Sequence, residues 1–452
     1  MLRSIILFFT LVSFSFAQDV EPQSHLMYTW IGITTLGISL LGYYIVINEK
    51  KLQVDKSVPA LFTGVFLFIL LAFYFYINNL DISLVEAEAH AVILEITEIF
   101  FFLFVAMTYI EALVHLNVFE RLKYKLVSRG YDYKKLFWLT GFAAFFISPL
   151  ADNLTTALVM STVLVTIERQ RKEFLIPAAI NIVVAANAGG AWSPFGDITT
   201  IMAWTAGKGA FTDFLMLFPA SFIGYIISAY LLSMIVPDDK PKYYEVMKEA
   251  KMKKGAKVVM FLGIFTIFCS IVSHQYLLFS ALWGMMFGLA LLKLYSYVLK
   301  LQYGQGHLNV FEMITKIEHN TLMFFFGVLA VVGALYFTGW LSLISTVYDS
   351  QNLGATYSNI VIGILSAFVD NVPVMSAVLR ANPDMDISNW LLLTLTAGIG
   401  GSLISFGSAA GIAMMGRLRG IYTFQSHLRY TWIILLGYFV SIFIWYIQFN
   451  VL

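Results

Sequence analysis

Charged residues and cysteines are scarce in this sequence. Only 12% of its 452 residues are Asp, Glu, Lys or Arg, about half the share in a typical soluble domain. The single cysteine, Cys269, excludes a disulfide framework and a multi-cysteine metal site. The seven histidines form no HExxH motif and no cluster, so we expect no zinc and no cofactor. The net charge of +1 does not indicate a nucleic-acid partner.

Apolar residues are abundant instead. Hydrophobic residues make up 59% of the chain and aromatic residues 16%, and the mean hydropathy is +0.80. About 20 apolar residues span the hydrocarbon core of a bilayer, and the chain contains roughly ten such windows. The composition therefore predicts an all-α polytopic membrane protein whose main partner is the lipid bilayer. It excludes a soluble enzyme, a disordered chain and a disulfide-built secreted domain.

The first 17 residues resemble a secretory signal peptide. Arg3 precedes an apolar or hydroxyl-bearing run from Ser4 to Phe16, and small residues stand at Ser15 and Ala17. This order predicts cleavage after Ala17, and a short uncleaved anchor is the alternative. Under either interpretation, residues 18–25 face outward.

The distribution of lysine and arginine indicates two re-entrant hairpins. With one crossing per apolar window, the cluster Arg169, Arg171 and Lys172 would lie outside, against the positive-inside rule. If 136–167 and 356–381 each enter and leave on one side, the predicted cytoplasmic stretches contain 25 of the 28 Lys and Arg residues. Arg3, Lys208 and Arg380 are the exceptions.

Two sequence patterns occur twice in the same order. Asp152-Asn153 recurs as Asp370-Asn371, and the string GGxxxxFG occupies both Gly189–Gly196 and Gly400–Gly407. These matches predict two inverted-topology repeats, each with a re-entrant hairpin and a broken helix. The predicted segments are a first repeat at 18–236, with hairpin 136–167 and broken helix 174–206; a cytoplasmic lysine-rich linker at 237–257; and a second repeat at 258–452, with hairpin 356–381 and broken helix 388–416.

Oxygen-bearing side chains stand beside the predicted helix breaks. Inside a membrane, backbone leaves helical geometry only where it is buried in protein or lines a polar cavity. Oxygen ligands suit a small hard cation, and intramembrane carboxylates are functional by default. Helix capping is the alternative role for each aspartate. The candidate cation- and proton-binding residues are Asp152, Asn153, Thr155, Asn187, Asp197, Thr199, Thr200, Ser366, Asp370, Asn371, Ser405 and Ser408, with Na⁺ itself expected at Asp152, Asn153, Asp197, Asp370 and Asn371.

The third apolar span, at 91–115, contains two further carboxyl groups. Glu95 and Glu98 are one helical turn apart, and His90 lies just before the span. We hypothesise a gating or proton-relay role for Glu98 and His90. A position at the membrane interface is the alternative explanation.

The hairpins and broken helices resemble those of NhaD-type sodium/proton antiporters, which belong to the wider ion transporter superfamily. The matching residues are Asp152–Thr156, Asn187, Ser193–Thr200, Ser366–Asn371 and Ser405–Ser408, and the resemblance covers the chain from about residue 26 onward. It implies a homodimer in the inner (plasma) membrane, with scaffold and transport (elevator) domains. It also implies exchange of cytoplasmic Na⁺ or Li⁺ for external protons in pH homeostasis, with no cofactor besides the transported ions.

Two alternative functions remain open for a membrane protein with buried aspartates. A sodium-coupled anion or dicarboxylate symporter would be favoured by an arginine or a Ser-Asn-Thr motif in the hairpins. We expect neither there, because the tips carry Asp-Asn instead. An intramembrane aspartyl protease needs a GxGD motif, whereas Pro194-Phe195-Gly196-Asp197 lacks the first glycine.

Antiport needs a group that binds a cation or a proton but not both. A buried carboxylate does this, because desolvation favours its protonated form and a bound cation favours its ionised form.

Overall fold

The computed structural model describes residues 21–241, 249–304, 308–349 and 351–451. The predicted signal peptide at 1–17 lies outside these residues. Every regular element within the described ranges is a helix, and they contain no strand. The fold class is therefore all-α, as the composition predicts.

The helices of eight or more residues are labelled in chain order. They are α1 Trp30–Ile47, α2 Ser57–Ile77, α3 Ser83–His115, α4 Val118–Val127, α5 Tyr133–Ala151, α6 Asn153–Ile167, α7 Lys172–Ala191, α8 Ile198–Thr205, α9 Phe218–Ser233, α10 Ala256–Ile271, α11 Ala281–Tyr303, α12 His319–Phe337, α13 Gly354–Leu365, α14 Asn371–Ala381, α15 Ile387–Gly400, α16 Ala409–Arg417 and α17 Thr431–Asn450. Shorter helical turns occupy Ser24–Leu26, Glu49–Leu52, Phe211–Met216, Val272–Tyr276, Val310–Ile314, Ser342–Tyr348 and Phe424–Leu428.

Long apolar helices make this a multi-pass membrane protein. In the described part of the chain, nine helices are long and apolar enough to cross a membrane. They are α1, α2, α3, α7, α9 with the turn before it, α10 with the turn after it, α11, α12 and α17. Helices α6, α13 and α15 are apolar but shorter.

The chain divides into two compact units. Unit 1 contains the described part of 1–100 together with 318–346 and 380–382. Unit 2 contains the described parts of 101–317, 347–379 and 383–452. Each unit draws on both halves of the chain, so the units are not the predicted repeats. The repeat boundaries stay a prediction.

In unit 1, α2 packs closely against α12. A methyl group placed on Gly327 would lie 2.2 Å from the carbonyl carbon of Ala60, so glycine is required at this crossing. Small residues let membrane helices approach closely and gain van der Waals contact. Beside the crossing, apolar side chains including Leu67, Leu71 and Phe337 form a buried cluster.

In unit 2, helix α7 is buried along almost its whole length. Its second half reads Ala185-Ala186-Asn187-Ala188-Gly189-Gly190-Ala191, and every one of these residues is buried. A methyl group on Gly189 would lie 2.3 Å from the carbonyl oxygen of Phe145 in α5. These small side chains allow the hairpin helix α5 to pack directly on α7.

The four breaks are predicted at 148–153, 188–196, 370–373 and 400–407, and each lies at or beside an interruption between helices. Helical geometry nevertheless continues through Ser148 and Pro149 in α5 and through Asn371–Pro373 in α14. Helix α5 ends and α6 begins on either side of Asp152, and residues 192–197 separate α7 from α8. Residues 366–370 separate α13 from α14, and residues 401–408 separate α15 from α16. All four interruptions belong to unit 2.

Helix α3 begins earlier than the apolar pattern predicts. The expected span was 91–115, but the helix starts at Ser83 and has 33 residues, a length of roughly 50 Å. Alanine and glutamate are strong helix formers, and five of the nine residues in 83–91 are alanine or glutamate, which extends the helix towards its amino terminus. His90 therefore lies within the helix and not before it, and its side chain is exposed.

Candidate functional site

Asp197 is the centre of the candidate site in unit 2. Its side chain is only 2% exposed, and its Oδ1 accepts a hydrogen bond from the backbone N–H of Thr199 at 3.3 Å, which caps α8. Its Oδ2 accepts hydrogen bonds from Asn153 Nδ2 at 3.1 Å and Asn371 Nδ2 at 2.9 Å. The asparagines of the two Asp-Asn pairs, 218 positions apart, therefore meet on one carboxylate oxygen.

A chain of buried hydrogen bonds extends from this carboxylate to the second broken helix. Asn153 Nδ2 also donates to Asn187 Oδ1 at 3.0 Å, and Asn187 Nδ2 donates to Ser408 Oγ at 2.9 Å. Ser408 in turn caps α16 by accepting from the N–H of Gly411 at 3.3 Å. We call Asp197, Asn153, Asn371, Asn187 and Ser408 the Asp197 cluster. It joins both predicted hairpins to both predicted broken helices.

Asp152 and Asp370 lie near this cluster and are half-buried. Asp152 separates α5 from α6 with a φ of 53°, a strained conformation for a residue other than glycine and one that is concentrated at functional sites. Its two carboxylate oxygens accept from Thr155 N at 2.8 Å and Thr155 Oγ1 at 2.9 Å. Asp152 and Asp370 both act electrostatically on Asp197. Neighbouring carboxylates repel one another when ionised, so the arrangement favours binding of a proton or a cation.

Four of the six candidate hydroxyl groups fall into two classes. Thr200 Oγ1 donates to the carbonyl oxygens of Ser193 and Asp197 at 2.9 and 2.7 Å, and Ser366 Oγ donates to that of Ala397 at 3.0 Å. These bonds satisfy backbone at the helix breaks. In contrast, Thr199 Oγ1 and Ser405 Oγ are buried and have no hydrogen-bond partner within the described ranges. A buried hydroxyl without a partner costs about 1–3 kcal/mol, so these two are the better candidate cation ligands.

Ser148 is not among the site residues predicted from the sequence, although the structure places it like Ser366. Ser148 Oγ donates to the carbonyl oxygen of Ala186 at 2.6 Å. Ser148 precedes Asp152 by four positions, and Ser366 precedes Asp370 by four. This repeated spacing was the signal that could have identified Ser148.

Close glycine contacts also recur at both broken helices. A methyl group on Gly190 would lie 2.5 Å from the carbonyl oxygen of Gly196, and one on Gly401 would lie 2.9 Å from that of Gly407. Both positions exclude any larger residue, because backbone meets backbone there. The two GGxxxxFG strings therefore form the same tight contact in each half of the chain.

Helices α9 and α17 contain a further repeated pattern. Gly224-Tyr-x-x-Ser228 in α9 matches Gly437-Tyr-x-x-Ser441 in α17. A methyl group on Gly224 would overlap Ser441 Oγ, and one on Gly437 would lie 2.0 Å from Ser228 Oγ. In each helix, the serine of the other helix therefore packs against the glycine, where a side chain would not fit.

Comparisons with known proteins agree on one family. A family model described as CitMHS, citrate transporter, matches residues 6–398. The Na(+)/H(+) antiporter NhaD of Vibrio cholerae is 41% identical over 437 residues, which are 91% of each chain. The chain belongs to the NhaD family of sodium/proton antiporters. Sodium/proton antiporter 1 of Arabidopsis thaliana is 30% identical over 388 residues, 83% of this chain and 66% of that protein.

Membership of the NhaD family defines the general activity class. The Vibrio parahaemolyticus protein, also named Na(+)/H(+) antiporter NhaD, is 43% identical over 407 residues, 85% of this chain and 97% of its own. The chain is therefore a secondary transporter and not an enzyme, and neither the protease nor the symporter alternative is favoured.

Arg380 corrects one argument made from the sequence. It lies inside the predicted hairpin 356–381, near the end of α14, so an arginine is present in a hairpin after all. In unit 1, however, its guanidinium contacts the carboxylates of Glu88 at 2.6 Å and Glu95 at 2.7 Å. Because the Arg380 guanidinium is already paired with two carboxylates, its presence gives little support to an anion-binding site.

The structure brings neither Glu98 nor His90 into the Asp197 cluster. Both belong to unit 1, and the cluster belongs to unit 2. Glu98 is half-buried and His90 is exposed. Their proposed gating or relay role in this NhaD-family chain stays a prediction.

His427 supports the second broken helix in unit 2. The carbonyl oxygen of Ser402 can only accept, so His427 Nε2 donates to it at 2.9 Å. The neutral ring then accepts the Tyr422 hydroxyl at Nδ1, at 2.6 Å. His427 lies outside the candidate spans, and burial lowers its pKa to about 4. The histidine is therefore neutral at physiological pH and fixes the segment that carries Ser405 and Ser408.

We predict that acidification destabilises the protein through His427. The unfolded chain binds a proton below pH 6.5 and the folded chain only below about pH 4. Stability therefore falls as pH drops through this window, by about 2 kcal/mol between pH 7 and pH 5. Thermal unfolding of detergent-purified protein should show a smaller acid-induced loss in His427→Gln than in the wild type. Exposed His319→Gln is the matched control, and equal losses in the wild type and His427→Gln would contradict the prediction.

Proposed function

We propose that this NhaD-family protein exchanges cytoplasmic Na⁺ or Li⁺ for external protons, with Asp197 as the carboxylate that holds either ion. The main support is the convergence of Asn153 and Asn371 on Asp197 Oδ2 in a buried setting. Buried ionisable groups inside membrane proteins mark ion pathways. A carboxylate held by an amide from each hairpin can respond to movement of either one.

The amide groups suggest how the two ions exclude one another. In the structure, Asn153 and Asn371 present N–H groups to Asp197, and charge-assisted hydrogen bonds stabilise its ionised form. A side-chain amide carries an oxygen beside its nitrogen, so rotation of the amide would present oxygen to a cation. Thr199 and Ser405 can add hydroxyl oxygens without adding charge. A proton on Asp197 removes the charge that attracts the cation.

We propose that this site works by elevator-like alternating access between inverted repeats. Matched contacts support the repeats: Ser148 and Ser366 bond to Ala186 and Ala397 respectively, which are 211 positions apart. The paired glycine contacts and the two GYxxS patterns support them further. The family resemblance supports a homodimer. The lysine and arginine distribution supports an inner-membrane protein whose amino terminus is outside.

A sodium-coupled carboxylate symporter is the second candidate, because the matching family model is described as a citrate transporter. A carboxylate substrate would be repelled by Asp152, Asp197 and Asp370. The arginine of the second hairpin is paired with Glu88 and Glu95. The charge of the site therefore favours a cation over an anion.

Everted membrane vesicles with a pH-sensitive dye separate these functions. Respiration acidifies the lumen, and Na⁺ or Li⁺ added outside should release the stored protons and restore fluorescence. Choline chloride controls for ionic strength, and citrate is added with and without Na⁺. Antiport predicts a response to Na⁺ or Li⁺ alone. A response that requires Na⁺ and citrate together would favour the symporter.

A further inference from the structure

A second group of buried charges lies in unit 1. The guanidinium of Arg380 contacts Glu88 Oε1 through Nη1 at 2.6 Å, and Glu95 Oε2 through Nη2 at 2.7 Å and Nε at 3.1 Å. The side chains of Glu88, Arg380 and Glu95 are 1%, 11% and 28% exposed, respectively. We call these residues the Glu88–Glu95–Arg380 triad.

The triad contains one more negative than positive group. Arginine stays protonated in proteins, so two ionised glutamates leave a net charge of −1 in a buried position. From α12, the ring of Tyr336 lies 5.7 Å from the guanidinium, and Gly333 faces Glu88, where an added methyl group would lie 3.4 Å from Oε1. Glu86 and His90, on α3 itself, are exposed. An uncompensated buried charge is expensive, and a bound proton would remove it.

The geometry distinguishes the two glutamates. Glu95 accepts two hydrogen bonds from Arg380 and is 28% exposed. Glu88 accepts one bond from Arg380 and is almost fully buried. Hydrogen bonds stabilise an ionised carboxylate and burial destabilises it, so Glu88 is the carboxylate whose ionised form is less stabilised.

We propose that the triad is a second proton-binding site, separate from the Asp197 cluster, and that Glu88 accepts the proton. The proton converts Glu88 from a carboxylate to a carboxylic acid and brings the triad to electrical neutrality. The proposal concerns proton binding alone, so it does not depend on antiport.

Infrared difference spectroscopy on purified full-length protein tests this proposal. Spectra are compared across roughly pH 5 to 9, above the range where exposed carboxyl groups titrate. A background that carries Asp152→Asn, Asp197→Asn and Asp370→Asn removes the three carboxyl groups of the transport site. We expect a carboxylic-acid C=O band that grows on acidification and disappears completely in Glu88→Gln. Glu86→Gln, an exposed site on the same helix, should keep the band.

Glu95→Gln provides a second, independent variant. It leaves Glu88 and Arg380 as a neutral pair, so the band should disappear from this pH range as well. If Glu88→Gln does not give folded, monodisperse protein, the spectrum of Glu95→Gln decides the question. An unchanged band in folded Glu88→Gln, or in folded Glu95→Gln if Glu88→Gln does not fold, would overturn the proposal.

Discussion

Asp197→Asn should reduce sodium-dependent proton movement to less than about a tenth of the wild-type rate while expression is unchanged. Asparagine keeps the shape of the side chain and can still cap α8, but it cannot exchange a proton. The loss of the charge also removes the anion that attracts the cation and accepts the Asn153 and Asn371 amides. The vesicle dye assay measures the rate. We expect the same result for Asp152→Asn.

Asp386→Asn is the matched control for this experiment. Asp386 caps α15 by accepting from Asn389 N at 3.2 Å, and it is exposed. Its replacement should preserve both the cap and the exchange rate. If Asp197→Asn kept more than about a tenth of normal antiport, capping would suffice to explain Asp197.

The apparent affinity for sodium should fall about tenfold for each unit that the pH is lowered on the acidic side of the activity profile. This slope follows if one proton and one sodium ion compete for Asp197 and Asp152, because each ion must leave before the other binds. In pH–activity profiles recorded at increasing external sodium concentrations, the activation midpoint should also move toward lower pH. Sodium titrations across roughly pH 6.5 to 9.5 measure both effects.

A proton site outside the transport site predicts a different result. It would change the maximal rate and leave the sodium affinity independent of pH. The Glu88–Glu95–Arg380 triad is a candidate for such a site, so Glu88→Gln should preserve the competition slope. A flat affinity profile in the wild type would contradict the shared-site mechanism even if antiport were demonstrated.

Local patterns were sufficient to predict the membrane-protein class and the approximate positions of the helix breaks, and the ion site at Asp197 stays a prediction. Apolar windows report membrane-spanning helices directly, because the thickness of the hydrocarbon core fixes the number of consecutive apolar residues that a helix needs to cross it. Gly189–Gly196 and Gly400–Gly407 indicate breaks because glycine permits backbone contacts that other residues exclude. The predicted start of α3 was wrong, because residues of high helix propensity extend the helix to Ser83, before the apolar span begins.

The sequence by itself determined that this is an all-helical membrane protein with two Asp-Asn pairs, since composition and local spacing carry that information. Only the tertiary structure decided which partners meet. Asn371 reaches Asp197 across 174 positions, and Arg380 reaches Glu88 across 292. It also decided that the Thr200 hydroxyl bonds to backbone while that of Thr199 does not. Hydrogen bonds and ion pairs depend on distances of a few ångströms between side chains remote in sequence, and helix packing sets those distances.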